Sequence, residues 1–223
     1  MLDRSFPDAA LTLLPDWLRA GYLRLIDPVA DALVRLGIAP NAITTFGTLC
    51  SMTGGTLYAT GQIRTGGWVL GVTALFDVID GTVARRSGRS TVFGAFYDST
   101  MDRVADGFVL GGLAVFFATR TPVWSPVMVA VCVLGLIGTL VTSYTRARAE
   151  ALGVDASLGV LQRPERVVLL SAPQAFFGLA LDGLVLSAIL VLLTVTAWIT
   201  VAQRIGAVYR ATDRGAAGRA RGE

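Results

Sequence analysis

Residues 77–102 read DVIDGTVARRSGRSTVFGAFYDSTMD, placing four carboxylates in or beside segments apolar enough to cross a bilayer. This combination restricts the fold more than any other feature, because an ionised side chain at membrane depth is costly and must turn inward. Asp77 and Asp80 are three residues apart, and Asp98 and Asp102 are four apart. If both flanks are helical, each pair lies on one helix face, one turn apart. The link at residues 86–90 is short and polar, so the two helices are expected to be antiparallel neighbours with converging acidic faces. Carboxylates crowded at low dielectric repel one another and need a cation to remain ionised. The chain has no His, and no Cys lies near the cluster, so its ligands are oxygens. Such a set suits a hard cation, Mg²⁺ or Mn²⁺.

Gly81 and Gly94 stand beside the two acidic pairs, where a missing side chain admits a ligand or a facing helix. Ala84 continues that small face, and Arg85 adds a fixed positive charge for a phosphate or a carboxylate. A purely structural acid–arginine network at a helix interface is the competing reading. It is disfavoured because ionisable groups at this depth are usually functional. The stretch resembles the signature of the CDP-alcohol phosphotransferases, D-x2-D-G-x2-A-R-x8-G-x3-D-x3-D. Asp77, Asp80, Gly81, Ala84, Arg85, Gly94, Asp98 and Asp102 fill it without a gap or a substitution.

Composition agrees with a membrane protein. Hydrophobic residues make up 53% of 223, and the mean hydropathy of +0.63 leaves little material for a water-facing shell. All 19 basic residues are Arg, and the net charge of +3 is too small to imply nucleic acid. Cys50 and Cys132 lie in apolar runs and read as small buried hydrophobes. The N-terminus, mixed in charge and without a small-residue cleavage site, does not read as a signal peptide.

The expected fold is an all-α integral membrane protein, with six transmembrane helices preceded by an amphipathic interfacial helix. Residues 1–37 form that juxtamembrane segment, with Trp17 and Tyr22 at headgroup level and an interruption at Pro28. Residues 38–208 form the membrane domain. Its spans begin near residues 42, 65, 91, 127, 167 and 184. Residues 209–223 form an Arg/Gly/Ala-rich tail that frays at its end. Fifteen arginines fall on one side of this arrangement, and the opposite loops hold only Arg64 and Arg120. The positive-inside rule therefore puts both termini and the acidic cluster at the cytoplasmic face of the cell membrane.

A second polar constellation stands where the fourth, fifth and sixth spans end or begin: Ser143, Tyr144, Arg146 and Arg148, then Arg163, Glu165 and Arg166, and finally Arg204. Arginine forks match phosphate oxygens in pairs, so these residues suit a phosphomonoester. The strings SYTRARAE, QRPER and AQR are similar to the branch of the family formed by the phosphatidylinositol-phosphate synthases of actinobacteria, although Arg146 stands where many relatives have Lys. The resemblance implies a donor, CDP-diacylglycerol, an acceptor, inositol 1-phosphate, and a homodimer in the lipid bilayer. It implies Mg²⁺ or Mn²⁺ held by Asp77, Asp80, Asp98 and Asp102, with Asp102 also accepting the proton of the attacking hydroxyl. It further implies a CDP-lipid site at Asn41, Thr44, Gly81, Thr82, Ala84 and Arg85, and acceptor-phosphate contacts from Ser143, Arg146, Arg148, Arg166 and Arg204. Two other readings are distinguishable: glycerol 3-phosphate as acceptor, which needs the same phosphate pocket, and a cation or proton transporter. A transporter is expected to carry its acids near mid-membrane and often an internal repeat. This chain has neither.

Overall fold

The computed structural model describes the backbone of residues 16–219 except Ser157 and Gln162, and side chains between residues 26 and 213. Among the described residues there are seven helices and no strand. They are α1 (Asp16–Arg35), α2 (Pro40–Ala59), α3 (Ile63–Arg86), α4 (Val92–Thr119), α5 (Pro126–Ala151), α6 (Arg163–Phe177) and α7 (Leu184–Arg219). The starts follow from local chemistry. Pro40 and Pro126 occupy first-turn positions where a missing N–H costs nothing. Thr91 and Ser125 cap α4 and α5, their hydroxyls accepting from the Gly94 and Met128 N–H groups. Gly178, at φ +62°, follows the last residue of α6 in the left-handed conformation that ends many helices.

Among the described residues three helices are long and apolar enough to cross a membrane: Ile63–Arg86, Pro126–Ala151 and Leu184–Asp213. α6 has 15 residues and contains Pro173, fewer than the about 20 needed for a straight crossing. α1 is continuous through Pro28, and α7 continues without a break to Arg219. The break expected near residue 28 is therefore not seen. The other expectations for residues 1–15 and 220–223, and those for the Trp17 and Tyr22 side chains, lie outside what is described.

The order of helices around the bundle differs from the expectation in one important respect. α3 and α4 do not pack on each other; α2 packs on both, wedged between them. Small residues make the wedge possible. A Cβ at Gly112 of α4 would collide with the Gly55 carbonyl of α2, and one at Gly55 would collide with Phe108. Gly112→Ala is therefore expected to destabilise the fold by about 1–3 kcal/mol, as overpacking does, and to lower the melting midpoint in detergent. Gly111→Ala, with open space around its added carbon, is expected to leave that midpoint unchanged or slightly raised.

A core of Tyr58, Leu113, Phe116, Phe117, Cys132, Leu186 and Leu190 closes one end of the bundle, where the Tyr58 hydroxyl donates to the Leu170 carbonyl at 3.1 Å. At the other end Ile26 and Ala30 of α1 pack on Ile43, Ile79 and Val83. Arg86, at the end of α3, fastens α1 there by pairing with Asp27 and, at 2.5 Å, with Asp31. The acidic pairs lie at this second end, along the cleft between α3 and α4.

Candidate active site

Asp77 and Asp80 face the cleft from the last three turns of α3, and Asp98 and Asp102 face it from the first three turns of α4. Asp80 is only 7% exposed, and its Oδ2 accepts the Thr44 hydroxyl at 2.7 Å. This hydrogen bond fixes the orientation of the carboxylate from α2. Thr44, which the resemblance places at the CDP-lipid, thus also touches one of the acids. Asn41 lies close to Gly94: its Oδ1 would be 3.4 Å from a Cβ there, so a larger residue would press on it. Thr45 shares a hydrogen bond of 2.8 Å with the Tyr97 hydroxyl across the same gap. Thr82 donates to the Val78 carbonyl, and Arg85 donates to Thr82 at 3.2 Å, which lays its guanidinium over Gly81. Ala84 is half-buried on that face.

Across the cleft lies a group that the sequence places in the second constellation and not among the acids. Arg163, the first residue of α6, pairs with Asp77 and, at 2.9 Å, with Asp102. Its Nε is 3.8 Å from Asp106, one turn beyond Asp102. Arg103 donates to Ser143 of α5 and stands 3.5 Å from Asp102 and 3.7 Å from Asp106. An alternating chain of acids and arginines thus joins α3, α4, α5 and α6. The spacing of Asp98, Asp102 and Asp106 at four residues is the signal that places Asp106 on this stripe. Arg103 gives no comparable signal, and the spacing of Arg163 groups it with Arg166 and not with the acids.

The donor chemistry fits a hard divalent cation: the four signature acids offer only oxygens, and their charges act on one another strongly enough to need compensation. Among the described residues no three of these groups close on one point at ligand distances, and Arg163 supplies the positive charge between Asp77 and Asp102.

The second constellation is only partly gathered. Arg166 donates to Thr139 at 3.2 Å, and its buried Nε has no hydrogen-bond partner. Arg204 is 7% exposed and is held by the carbonyls of Leu158, at 2.8 Å, and Thr142. Its charge and those of Arg146 and Arg166 act on one another, so the three share one region. Arg146 is engaged by Glu150 at 2.9 Å, and Arg148 is exposed. Arg163, Arg166, Asp106 and Thr139 line the polar roof of a cavity of about 50 Å³ on the bundle axis, floored by leucines including Leu170 and Leu190.

The family model for CDP-alcohol phosphatidyltransferase matches residues 37–209. A phosphatidylinositol phosphate synthase of Mycobacteroides abscessus is 39% identical over 192 residues, covering 85% of this chain and 86% of the relative. One from Streptomyces avermitilis is 35% identical over 92% of this chain and 86% of its own length. Among solved structures, the phosphatidylinositol phosphate synthase of Mycobacterium tuberculosis with CDP-DAG bound superposes with a TM-score of 0.75 at 34% identity. That match covers 83% of this chain and 94% of the other. The same enzyme in complex with manganese and citrate gives a TM-score of 0.75 over 82% of this chain and 88% of the other. The unbroken signature, the helical bundle that carries it and these likenesses agree, and the chain belongs to the CDP-alcohol phosphatidyltransferase family.

Proposed function

We propose that the protein is a phosphatidylinositol phosphate synthase, transferring the phosphatidyl group of CDP-diacylglycerol to inositol 1-phosphate and releasing CMP. The observation that carries the reading is that Arg163, paired with the signature acids Asp77 and Asp102, lines one cavity together with Arg166. The acids suit the pyrophosphate of the donor with its cation, and Arg166 suits the anionic acceptor. The names of the similar synthases support the choice of donor and acceptor.

In this reading Asp77, Asp80, Asp98 and Asp102 hold Mg²⁺ or Mn²⁺, and a bound divalent cation supplies neutralisation of charge on the phosphates. Thr44 orients Asp80 through its hydroxyl. Asn41, Gly81, Thr82, Ala84 and Arg85 border the nucleotide, with Gly81 and Ala84 leaving it room. Ser143, Arg146, Arg148, Arg166 and Arg204 receive the acceptor phosphate. Asp102 takes the proton of the attacking inositol hydroxyl as the new P–O bond forms and the bond to CMP breaks. The acyl chains lie against the bilayer-facing flank of the cleft.

The membrane arrangement belongs to the same proposal. α2 to α7 make six crossings, α1 lies at the interface, and both termini and the cleft are cytoplasmic, as the arginine distribution requires. Residues 1–37, 38–208 and 209–223 form the juxtamembrane segment, the catalytic membrane domain and the tail, and two copies make a homodimer.

Product analysis tests the acceptor. With CDP-diacylglycerol and Mg²⁺ or Mn²⁺, inositol 1-phosphate is expected to yield CMP and a phospholipid, whereas free inositol, which leaves the arginines unpaired, is a poor acceptor. Arg166→Ala is expected to raise the acceptor KM roughly ten- to a hundredfold, the equivalent of one charge-assisted hydrogen bond. The KM for CDP-diacylglycerol stays nearly unchanged. Glycerol 3-phosphate used far better than inositol 1-phosphate would move the protein to the phosphatidylglycerol-phosphate branch, with its donor chemistry intact.

A further inference from the structure

α3 and α4 leave a gap at the level of the acids, and Arg163 spans it from α6. One guanidinium pairs with Asp77 on one wall and with Asp102 on the other. We propose that Arg163 is a built-in counter-ion that occupies carboxylate oxygens of Asp77 and Asp102 in competition with the divalent cation, so that cation loading displaces the guanidinium. The inference rests on the reading of Asp77 and Asp102 as cation ligands.

Three features of the geometry support an exchange over a fixed strut. The contact is selective: Arg163 holds Asp77 and Asp102, whereas Asp80 is held by the Thr44 hydroxyl from α2. Two of the four acids therefore change partner while a third keeps its orientation. The side chain also stands at the first residue of α6, where no preceding helical turn restricts its swing. Finally, it has somewhere to go. Asp106 lies 3.8 Å from its Nε, and the Asp106 Oδ2, which makes no hydrogen bond and has the Arg103 Nε 3.7 Å away, is buried beside the cavity that Arg163 and Arg166 both line. A guanidinium leaving Asp77 and Asp102 can keep a carboxylate partner there, so it need not be left as an uncompensated buried charge.

Competition fixes the sign of the effect. Removing a group that blocks two ligands strengthens cation binding, whereas removing a structural strut weakens it or leaves it unchanged. Mn²⁺ binding to the full-length protein in detergent can be followed by the electron paramagnetic resonance of free Mn²⁺, with no turnover involved. Arg163→Gln is expected to bind Mn²⁺ about tenfold more tightly than wild type, since the pairs with Asp77 and Asp102 no longer have to be broken against the one partner regained at Asp106. Arg163→Lys keeps the charge but not the two-pronged reach, and is expected to fall between the two. In EDTA Arg163→Gln is expected to melt below wild type, with the difference shrinking in saturating Mn²⁺. Unchanged or weaker Mn²⁺ binding in either variant overturns the proposal. So does Arg163→Lys equal to wild type beside a tighter Arg163→Gln, which assigns the effect to net charge alone. Should Arg163→Gln fail to fold, the lysine variant decides by itself. Wild type without saturable Mn²⁺ binding overturns the cation-site reading as well, and is told apart from the other outcomes by that one titration.

Discussion

Asp77→Asn, Asp80→Asn and Asp98→Asn are each expected to lower turnover by roughly a thousandfold or more, as loss of several kcal/mol of charge stabilisation implies. An amide keeps the volume of the carboxylate but offers a neutral oxygen and a competing N–H₂, so the acidic set loses one of its charges. Asp80 should be the most sensitive to this exchange. It is the most buried of the four, and the Thr44 hydroxyl that donates to its Oδ2 would meet an amide that can present a donor instead. The check is CMP release with CDP-diacylglycerol and saturating acceptor, together with Mn²⁺ binding by each variant. EDTA should silence the wild-type enzyme, and Mg²⁺ or Mn²⁺ should restore it. Wild-type rates in the Asp98 variant would remove that residue from the proposed ligand set.

The parts of this site that follow a local period were legible in the sequence. The spacing of Asp77 and Asp80, and of Asp98 and Asp102, put each pair on one face, and helices α3 and α4 carry them as expected. Helix boundaries also followed from local signals such as Pro40, Pro126 and Thr91. The order of helices around the bundle was not legible, because it depends on which small residues meet across long separations in the chain. Gly55 and Gly112 let α2 approach α4, and nothing near either glycine in sequence names the other. The same limit hid the acid–arginine chain. Arg163 stands in the sequence with the second polar constellation, far from the acids, and its pairing with Asp77 appears only when α6 is placed against α3. The structural network weighed against a functional site in the sequence is thus present, and it is built from the signature acids themselves.

Asp102→Asn is expected to reduce kcat by about 10²–10⁴-fold, the usual contribution of a positioned general base, while CDP-diacylglycerol binding is largely kept. The position of Asp102 explains the split. It is one turn beyond Asp98 on α4, on the side of the cleft from which Arg163 of α6 reaches in at 2.9 Å and Arg103, tied to Ser143 of α5, stands at 3.5 Å. The donor-side residues Thr44, Gly81 and Ala84 belong instead to α2 and α3. A base must touch the proton it removes, so it belongs on the acceptor's side. Asparagine can preserve packing and the contact with Arg163, but it cannot take the proton of the inositol hydroxyl. The loss should therefore appear in kcat, with the acceptor KM moving far less than in Arg166→Ala. Direct binding of CDP-diacylglycerol to the variant, measured without acceptor, completes the test. A near wild-type kcat across neutral pH would exclude Asp102 as the base. A kcat loss accompanied by complete loss of CDP-diacylglycerol binding would instead make Asp102 chiefly part of the donor site.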